Sequence, residues 1–515
     1  MTTTAPAPKT SAELSHDPGF IQVENPSTGA VAGTVPNLDE AAVDALVAAA
    51  RAAQPAWAEL GFSGRARYLR SMQKWFIDNA DLVAETIHRE NGKSYDEAHI
   101  EVAYGVMASA FWARKAGSYL ADERVRTRSP FVLGRKLVIR YAPAGVVGVI
   151  GPWNNPLLNN FGDVIPALAA GNAVILKPSE ITPLTSVLMA RMTSEIGLPA
   201  DVFAVATGDG ETGSALVERV DALMFTGSTR TGKKVAARCG ERLIPVSLEL
   251  GGKDPAIVLA DADLDRAAHM TLFGAMHNSG QTCTSVERVL VEAPVYDEFV
   301  AKMQVAFESL RMGESTGLGT SDSGSLTFLP QLRTVTSHVQ DAVRAGARAL
   351  TGGAVREGAG RFFEPTLLVD VDEDMDCMTQ ETFGPTLPIL KVADEEEAIR
   401  IANSTSFGLQ ASVYTKDKKR GQRVARRLHA GTVTINDVLA NYFALELPMG
   451  GWKDSGLGAR HGAEGIRKFT KRQSILVTNF PMKNELHTMP FNAGSQALMQ
   501  KIVKVVYGRP RRTAR

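Results

Sequence analysis

Residues 146–177 read VVGVIGPWNNPLLNNFGDVIPALAAGNAVILK. A β-rich run at Val146–Ile150, a helix-length stretch over about 157–170 and a second run at Ala173–Leu176 make a strand–helix–strand unit. The pattern continues downstream, with strands at Val202–Val205 and Leu223–Phe225, helices over about 181–196 and 211–219, and a further helix after Gly227. Short apolar strands separated by helices are strands buried on both faces, so the spacing predicts a parallel α/β sheet with helices on either side. A second α/β section begins at Pro255–Leu259, includes Val289–Glu292 and runs to about Thr434.

Ahead of the sheet, Asn37 with Glu40 reads as a capping box for an Ala-rich helix ending near Ala53. A longer helix starts near Ser63, carries Tyr68, Leu69, Met72, Phe76, Leu82, Val83 and Ile87, and stops at Asn91-Gly92. Two strands, Lys136–Tyr141 and Ser474–Val477, fit neither layer and read as an exposed antiparallel ribbon. Such a ribbon is an edge-pairing surface, which suggests oligomerisation.

Composition narrows the class. A chain of 515 residues exceeds one ordinary core and divides into two or three domains. Zero formal net charge gives no field for a nucleic-acid partner. Three dispersed cysteines, Cys239, Cys283 and Cys377, fit a reducing compartment, and no apolar run approaches the ~18 residues that span a bilayer. A cytoplasmic protein with no stable membrane insertion is expected. Met1 to about Pro18 reads as a flexible arm rather than a signal peptide. The histidines show no metal-ligand spacing.

Four stretches carry candidate chemistry. Phe225-Thr226-Gly227-Ser228-Thr229-Arg230-Thr231-Gly232 ends a strand and opens a helix, aiming backbone N–H groups at an anion such as a pyrophosphate. Alone it reads first as an ordinary β–α turn. Lys177-Pro178-Ser179-Glu180, also past a strand, could hold both hydroxyls of a ribose, or be a solvated ion pair. Gly280-Gln281-Thr282-Cys283-Thr284 sets a cysteine among small polar residues, where a lone Cys is more often a buried hydrophobe. In Glu249-Leu250-Gly251-Gly252-Lys253 an acid stands at a strand end beside two glycines, a candidate general base if burial raises its pKa.

In this order these stretches resemble the aldehyde dehydrogenase superfamily from about residue 20 to 480. The resemblance also rests on Pro152-Trp153-Asn154, on Glu381-Thr382-Phe383-Gly384-Pro385, and on Pro448-Met449-Gly450-Gly451 with Ser455-Gly456. It implies a Rossmann-type NAD-binding domain (19–118 and 142–250), an α/β catalytic domain (251–450) and a small β oligomerisation ribbon (119–141 and 470–480). A basic extension, 481–515, follows. A homodimer or homotetramer is implied as well.

By that resemblance Cys283 is the nucleophile, Asn154 and the Cys283 N–H hold the oxyanion, and Glu249 activates the water that hydrolyses a thioester. The cofactor residues are Trp153, Lys177, Glu180, Gly208, Gly227, Ser228, Gly232, Leu250, Glu381 and Phe383. A carboxylate at Glu180 would repel a 2′-phosphate, so NAD is expected over NADP, with Arg230 as the counter-evidence. Glu249 points to water rather than coenzyme A as the acyl acceptor.

Cys283-Thr284-Ser285-Val286-Glu287-Arg288 and Arg460-His461-Gly462 are similar to a succinate-semialdehyde dehydrogenase-like actinobacterial branch. The substrate-gripping Arg of better-known members has no counterpart in Asn159-Asn160-Phe161-Gly162-Asp163, and an acid at Asp163 facing the pocket would repel a carboxylate. A neutral aldehyde is therefore the alternative, with Tyr442 and Phe443 at an apolar pocket mouth or in the core. Two other classes are a non-catalytic relative, which would be expected to lose Cys283, Glu249 or Asn154, and a cysteine hydrolase pairing Cys283 with His277. The last 35 residues alternate Leu498, Ile502, Val503, Val505 and Val506 with Lys501 and Lys504, then run to Arg509, Arg511, Arg512 and Arg515. They read as a subunit-packing end or a basic amphipathic helix for an anionic membrane.

Overall fold

The computed structural model describes residues 19–508 apart from positions 128, 133, 482 and 484. The expected N-terminal arm and the four terminal arginines lie outside the described residues. Two compact units emerge, one of 19–119 with 143–469 and one of 120–142 with 470–508.

The larger unit holds two main sheets. The first has six strands in the order Gly456–Leu457, Val246–Glu249, Ala222–Thr226, Val146–Ile150, Ala173–Lys177, Phe203–Val205. All pairings are parallel except Gly456–Leu457 on Val246–Glu249. Every residue of Val146–Ile150, Ala173–Lys177 and Ala222–Thr226 is buried, as continuous β-branched and apolar runs require when helices cover both faces. After Phe203–Val205 the chain crosses to the far side of Val146–Ile150. The order therefore reverses between Val146–Ile150 and Ala222–Thr226, and the loops beyond their C-terminal ends border a crevice.

The second sheet has seven strands, Arg348–Thr351, Thr366–Val369, Thr386–Val392, Val286–Glu292, Asp254–Val258, Gln410–Tyr414 and Thr432–Ile435, with only the first antiparallel. Its two faces bury separate apolar clusters, one around Ile257, Leu290 and Val413 and one around Val258, Val289 and Phe299.

Three details of the early helices differ from the sequence reading. The N-cap of the helix Glu40–Glu59 is Asp39, whose carboxylate accepts from Ala42 N–H, while Asn37 turns to Asp209 instead. The long helix is two, Gly61–Asp78 and Ala80–Asn91, broken at Asn79, whose amide bonds the Trp75 carbonyl. A 25-residue helix, Tyr95–Tyr119, follows the αL cap at Gly92. Its buried Glu97, Glu101 and Tyr104 obscure an apolar stripe in the sequence.

The smaller unit contains a three-stranded sheet, Thr470–Thr478, Arg135–Pro143 and Glu123–Val125, and a helix, Ala493–Tyr507. Asn492 caps that helix by accepting from Ser495 N–H at 2.8 Å. Among the described residues no helix is long and apolar enough to cross a membrane.

Candidate active site

The Cys283 loop follows the helix Leu264–Met276 through three successive left-handed residues, Asn278 (φ 54°), Ser279 (φ 53°) and Gly280 (φ 72°). A non-glycine residue held this way costs on the order of 1–3 kcal/mol, so its surroundings must over-determine it. They do. Asn278 Nδ2 donates to the carbonyls of Asn154 (2.9 Å) and Gln281 (3.2 Å), and its N–H meets the Glu97 carboxylate. Ser279 Oγ donates to the Gly324 carbonyl at 2.9 Å. Gly280 lies so close to the Gly384 carbonyl that no Cβ fits. The turn leaves Cys283 partly open, yet deep enough that burial pushes its thiol up to about 12. The His277 ring lies against Phe273 and 3.5 Å from Glu97, and burial lowers its pKa against the pull of that carboxylate. It makes no pair with the thiol.

Asn154 arrives on the loop after Val146–Ile150. Its Nδ2 donates to the Gln281 carbonyl at 2.8 Å, which leaves one amide hydrogen uncommitted beside the cysteine loop, and its Oδ1 accepts from Asn159. Its own carbonyl is held by Asn91, Lys93 and Asn278. Lys93 is ion-paired to Glu101, whose other oxygen takes the N–H groups of Leu157 and Leu158. The loop cannot drift without breaking this buried set.

Glu249 ends its strand opposite Gly456 on one side and Thr226 on the other. The chain then turns so tightly that a Cβ on Gly252 would lie 2.6 Å from the Cys283 carbonyl. That close approach joins the glutamate segment to the cysteine loop. Glu249 Oε1 is buried with no hydrogen-bond partner. Burial raises its pKa to about 7, opposed by Arg460 and Lys468 and reinforced by Asp163.

Those three form a buried cluster. Arg460 Nη2 lies 2.7 Å from Asp163 Oδ2, and Lys468 Nζ 2.8 Å from Asp163 Oδ1. The remaining Arg460 donors reach Asn159 Oδ1 (3.0 Å), Tyr442 Oη (3.0 Å) and Thr226 Oγ1. Burial works against the Asp163 charge, and the two cations outweigh it to hold the pKa below its usual value. The repulsion expected of Asp163 is thus corrected: it is the inner counter-ion of two cations. Tyr442 is buried within this network rather than at an apolar mouth. Sequence reasoning used Arg460 only as a branch marker and did not single out Lys468. Their only signal was a run of cations flanking a short Gly-rich helix.

A second buried pair organises the opposite wall. Lys253 Nζ donates to Glu287 Oε2 at 2.7 Å, and the same carboxylate accepts the N–H groups of Thr382 (2.7 Å) and Phe383 (2.8 Å). This fixes Phe383 at φ 53° with its ring edge-on to Trp153, centroids 5.4 Å apart. Glu381 accepts from Gly252 N–H at 3.0 Å, and burial followed by Glu287 raises its pKa.

At the sheet's C-terminal edge, Lys177 Nζ sits 3.3 Å from Glu180 Oε2. Ser228 caps the helix Thr229–Glu241 and is exposed, as is Arg230, the second residue of that helix. Gly232 admits the buried Leu250 side chain, so any ligand contact at Leu250 runs through its backbone. Gly208 makes room for Thr212 and Gly227 for the Phe225 ring. The cleft residues thus meet around Cys283, while Lys177, Glu180, Gly208 and Ser228 line the outer edge. An exposed helix start beside a cation at the switch point fits a dinucleotide phosphate. Among the described residues no group of three His, Cys, Asp or Glu could hold a metal.

A family model described as the aldehyde dehydrogenase family matches residues 14–475. A Mycolicibacterium smegmatis protein provisionally named an NADP(+) succinate-semialdehyde dehydrogenase is 42% identical over 456 residues, 88% of each chain. A 4,4′-diapolycopene aldehyde oxidase of a Methylomonas species is 37% identical over 490 residues, covering 95% of this chain and 91% of the other. The crystal structure of an Escherichia coli NADP-dependent enzyme superposes with a TM-score of 0.85 at 35% identity, covering 89% and 94%. NADP in the names of such relatives overturns the NAD preference read from Glu180. The geometry supplies a reason: the Glu180 carboxylate is offset by Lys177 and stands half in water, free to turn away from a phosphate.

Proposed function

The chain belongs to the aldehyde dehydrogenase family, and from that membership we propose that it oxidises an aldehyde to the free acid with NADP, succinate semialdehyde being the favoured substrate. The observation that carries the reading is the closure of Asn154, Glu249 and the Glu381–Phe383 loop on one cysteine. Lys177 and Arg230 are the cations offered to the 2′-phosphate, and Glu381 is the acceptor for the nicotinamide ribose. We assign the ribbon at 119–141 and 470–480 to a homodimer or homotetramer.

With burial pushing the thiol to about 12 and the carboxyl to about 7, Cys283 is neutral at rest and Glu249 can take up or release a proton near neutral pH. Glu249 takes the thiol proton as sulfur bonds the carbonyl carbon. The free Asn154 amide hydrogen and the Cys283 N–H hold the oxyanion. Lys177, Arg230 and Glu381 would hold the dinucleotide, which when bound would supply the hydride acceptor that lets the Cys283 adduct become a thioester. Glu249, once deprotonated again, removes a proton from water as its oxygen bonds the acyl carbon. The C–S bond breaks, the acid departs and Cys283 recovers its proton.

The names of the relatives favour a carboxylate-bearing aldehyde, and Asp163 no longer opposes one because Arg460 and Lys468 neutralise it. The Asn159 amide, held by Tyr442 and Arg460 and with one N–H to spare, is the polar group that would receive it. A second reading, a long neutral aldehyde, is favoured by the Methylomonas relative and by Arg460 having every N–H already engaged. The test is NADPH formation across succinate semialdehyde, medium-chain and polyene aldehydes, with NAD in parallel. The highest kcat/KM for succinate semialdehyde with NADP is expected; preference for a polyene selects the second reading, and preference for NAD defeats the cofactor proposal.

A further inference from the structure

The C-terminal segment is built unlike the rest of the chain. The family match ends at residue 475, just before this segment. After Glu485 no Asp or Glu occurs, whereas Lys501, Lys504, Arg509, Arg511, Arg512 and Arg515 do, in a protein whose net charge is zero. Its described part forms the capped helix Ala493–Tyr507. At 100° per residue, Leu498, Met499, Ile502, Val503, Val505 and Val506 share one continuous face spanning under half the helix. Lys501 and Lys504 take the other side with Gln496 and Gln500.

Most of that apolar face is exposed, with Met499 and Ile502 partly buried. Val505 is 68% exposed, Leu498 and Val506 47%, and Val503 40%, while Phe480 and Met489 before the helix are also bare. A monomer rarely leaves such a stripe in water without an occupant. We propose that this helix docks peripherally on an anionic lipid surface, its apolar face in the head-group layer and its cations against lipid phosphates. Charge complementarity selects this occupant. Two copies meeting through the helix would set lysines against lysines, with no acid after Glu485 to answer them. Shallow apolar burial combined with several cations is what stable peripheral attachment without a spanning helix requires.

Full-length protein is sedimented with phosphatidylcholine vesicles, with and without added phosphatidylglycerol, at low and high salt. Wild type should pellet with the anionic vesicles at low salt and stay in solution with the neutral ones. Lys501→Glu with Lys504→Glu should lower partitioning at least about 25-fold, at roughly five-fold per cation. Val505→Asn with Val506→Asn should abolish binding at unchanged charge, and both variants should keep full dehydrogenase activity, showing that they fold. The proposal is overturned if wild type ignores anionic vesicles, binds neutral ones equally, or is unaffected by either double substitution. It is also overturned if the asparagine variant elutes as a smaller oligomer, which would make the face a subunit contact.

Discussion

Two buried ion clusters flank the Cys283 loop, and they differ in balance. Beside Phe383, Lys253 and Glu287 are paired one to one, and the carboxylate's spare capacity goes to two backbone N–H groups. Behind Glu249, two cations share Asp163, so the cluster carries a surplus positive charge that an ionised Glu249 cancels. A balanced pair with all its valences used shapes a loop. An unbalanced one biases the protonation of a neighbour, here against the burial that raises the Glu249 pKa. A buried salt bridge is thus not one kind of object, and its surplus charge indicates whether to look for its effect in stability or in pH dependence.

The largest contrast should come from removing the group each cluster serves. Glu249→Gln should slow turnover about 10²- to 10⁴-fold, as loss of a general base does, with stability near wild type. If Glu249 acts mainly on water, NADPH appears in one burst and intact mass shows an acylated chain. Full steady-state activity in this variant would sink the assignment. Glu287→Ala should instead destabilise the fold by about 3–5 kcal/mol, because Lys253 is left buried and unpaired. Thermal unfolding measures it, and an unchanged midpoint would erase the distinction between the clusters.

Smaller effects sharpen the comparison. A base must be ionised to work, so with a pKa near 7 hydrolysis-limited turnover should rise as pH climbs from 6 to 8. Lys468→Met removes a cation that favours the Glu249 carboxylate, moving that rise to more alkaline pH while Arg460 still pairs Asp163. A profile that stays in place, or moves to acid, would show that Lys468 does not act on Glu249. Least of all, Lys468→Arg should restore the wild-type profile with a few-fold change in rate.

Much of this was legible in the sequence because it is local. The strands at Val146–Ile150 and Ala173–Lys177 announce themselves through continuous apolar runs, and Gly92 is left-handed where an Asn-Gly pair predicts it. Where two local signals compete, the sequence misleads: Asn37 and Asp39 are both good caps, and tertiary bonding to Asp209 decides between them. The break at Asn79 is hidden because apolar spacing continues across it. The surplus-charge cluster was not legible at all. Arg460 and Asp163 are separated by 297 positions, and a buried pair of that kind has no signature until the fold brings it together.

The strand bearing Glu249 takes its outer neighbour, Gly456–Leu457, from roughly 200 residues further along the chain. A ribosome adding about 5–20 residues per second needs on the order of 10–40 s to cover that distance. Throughout that interval the edge of a nearly finished sheet stands bare at the outlet of synthesis, an open template for any passing strand. Glu249 cannot be fully seated until Gly456–Leu457 has been made. A nascent chain stalled before that point would carry Cys283 with the Glu249 strand still unguarded.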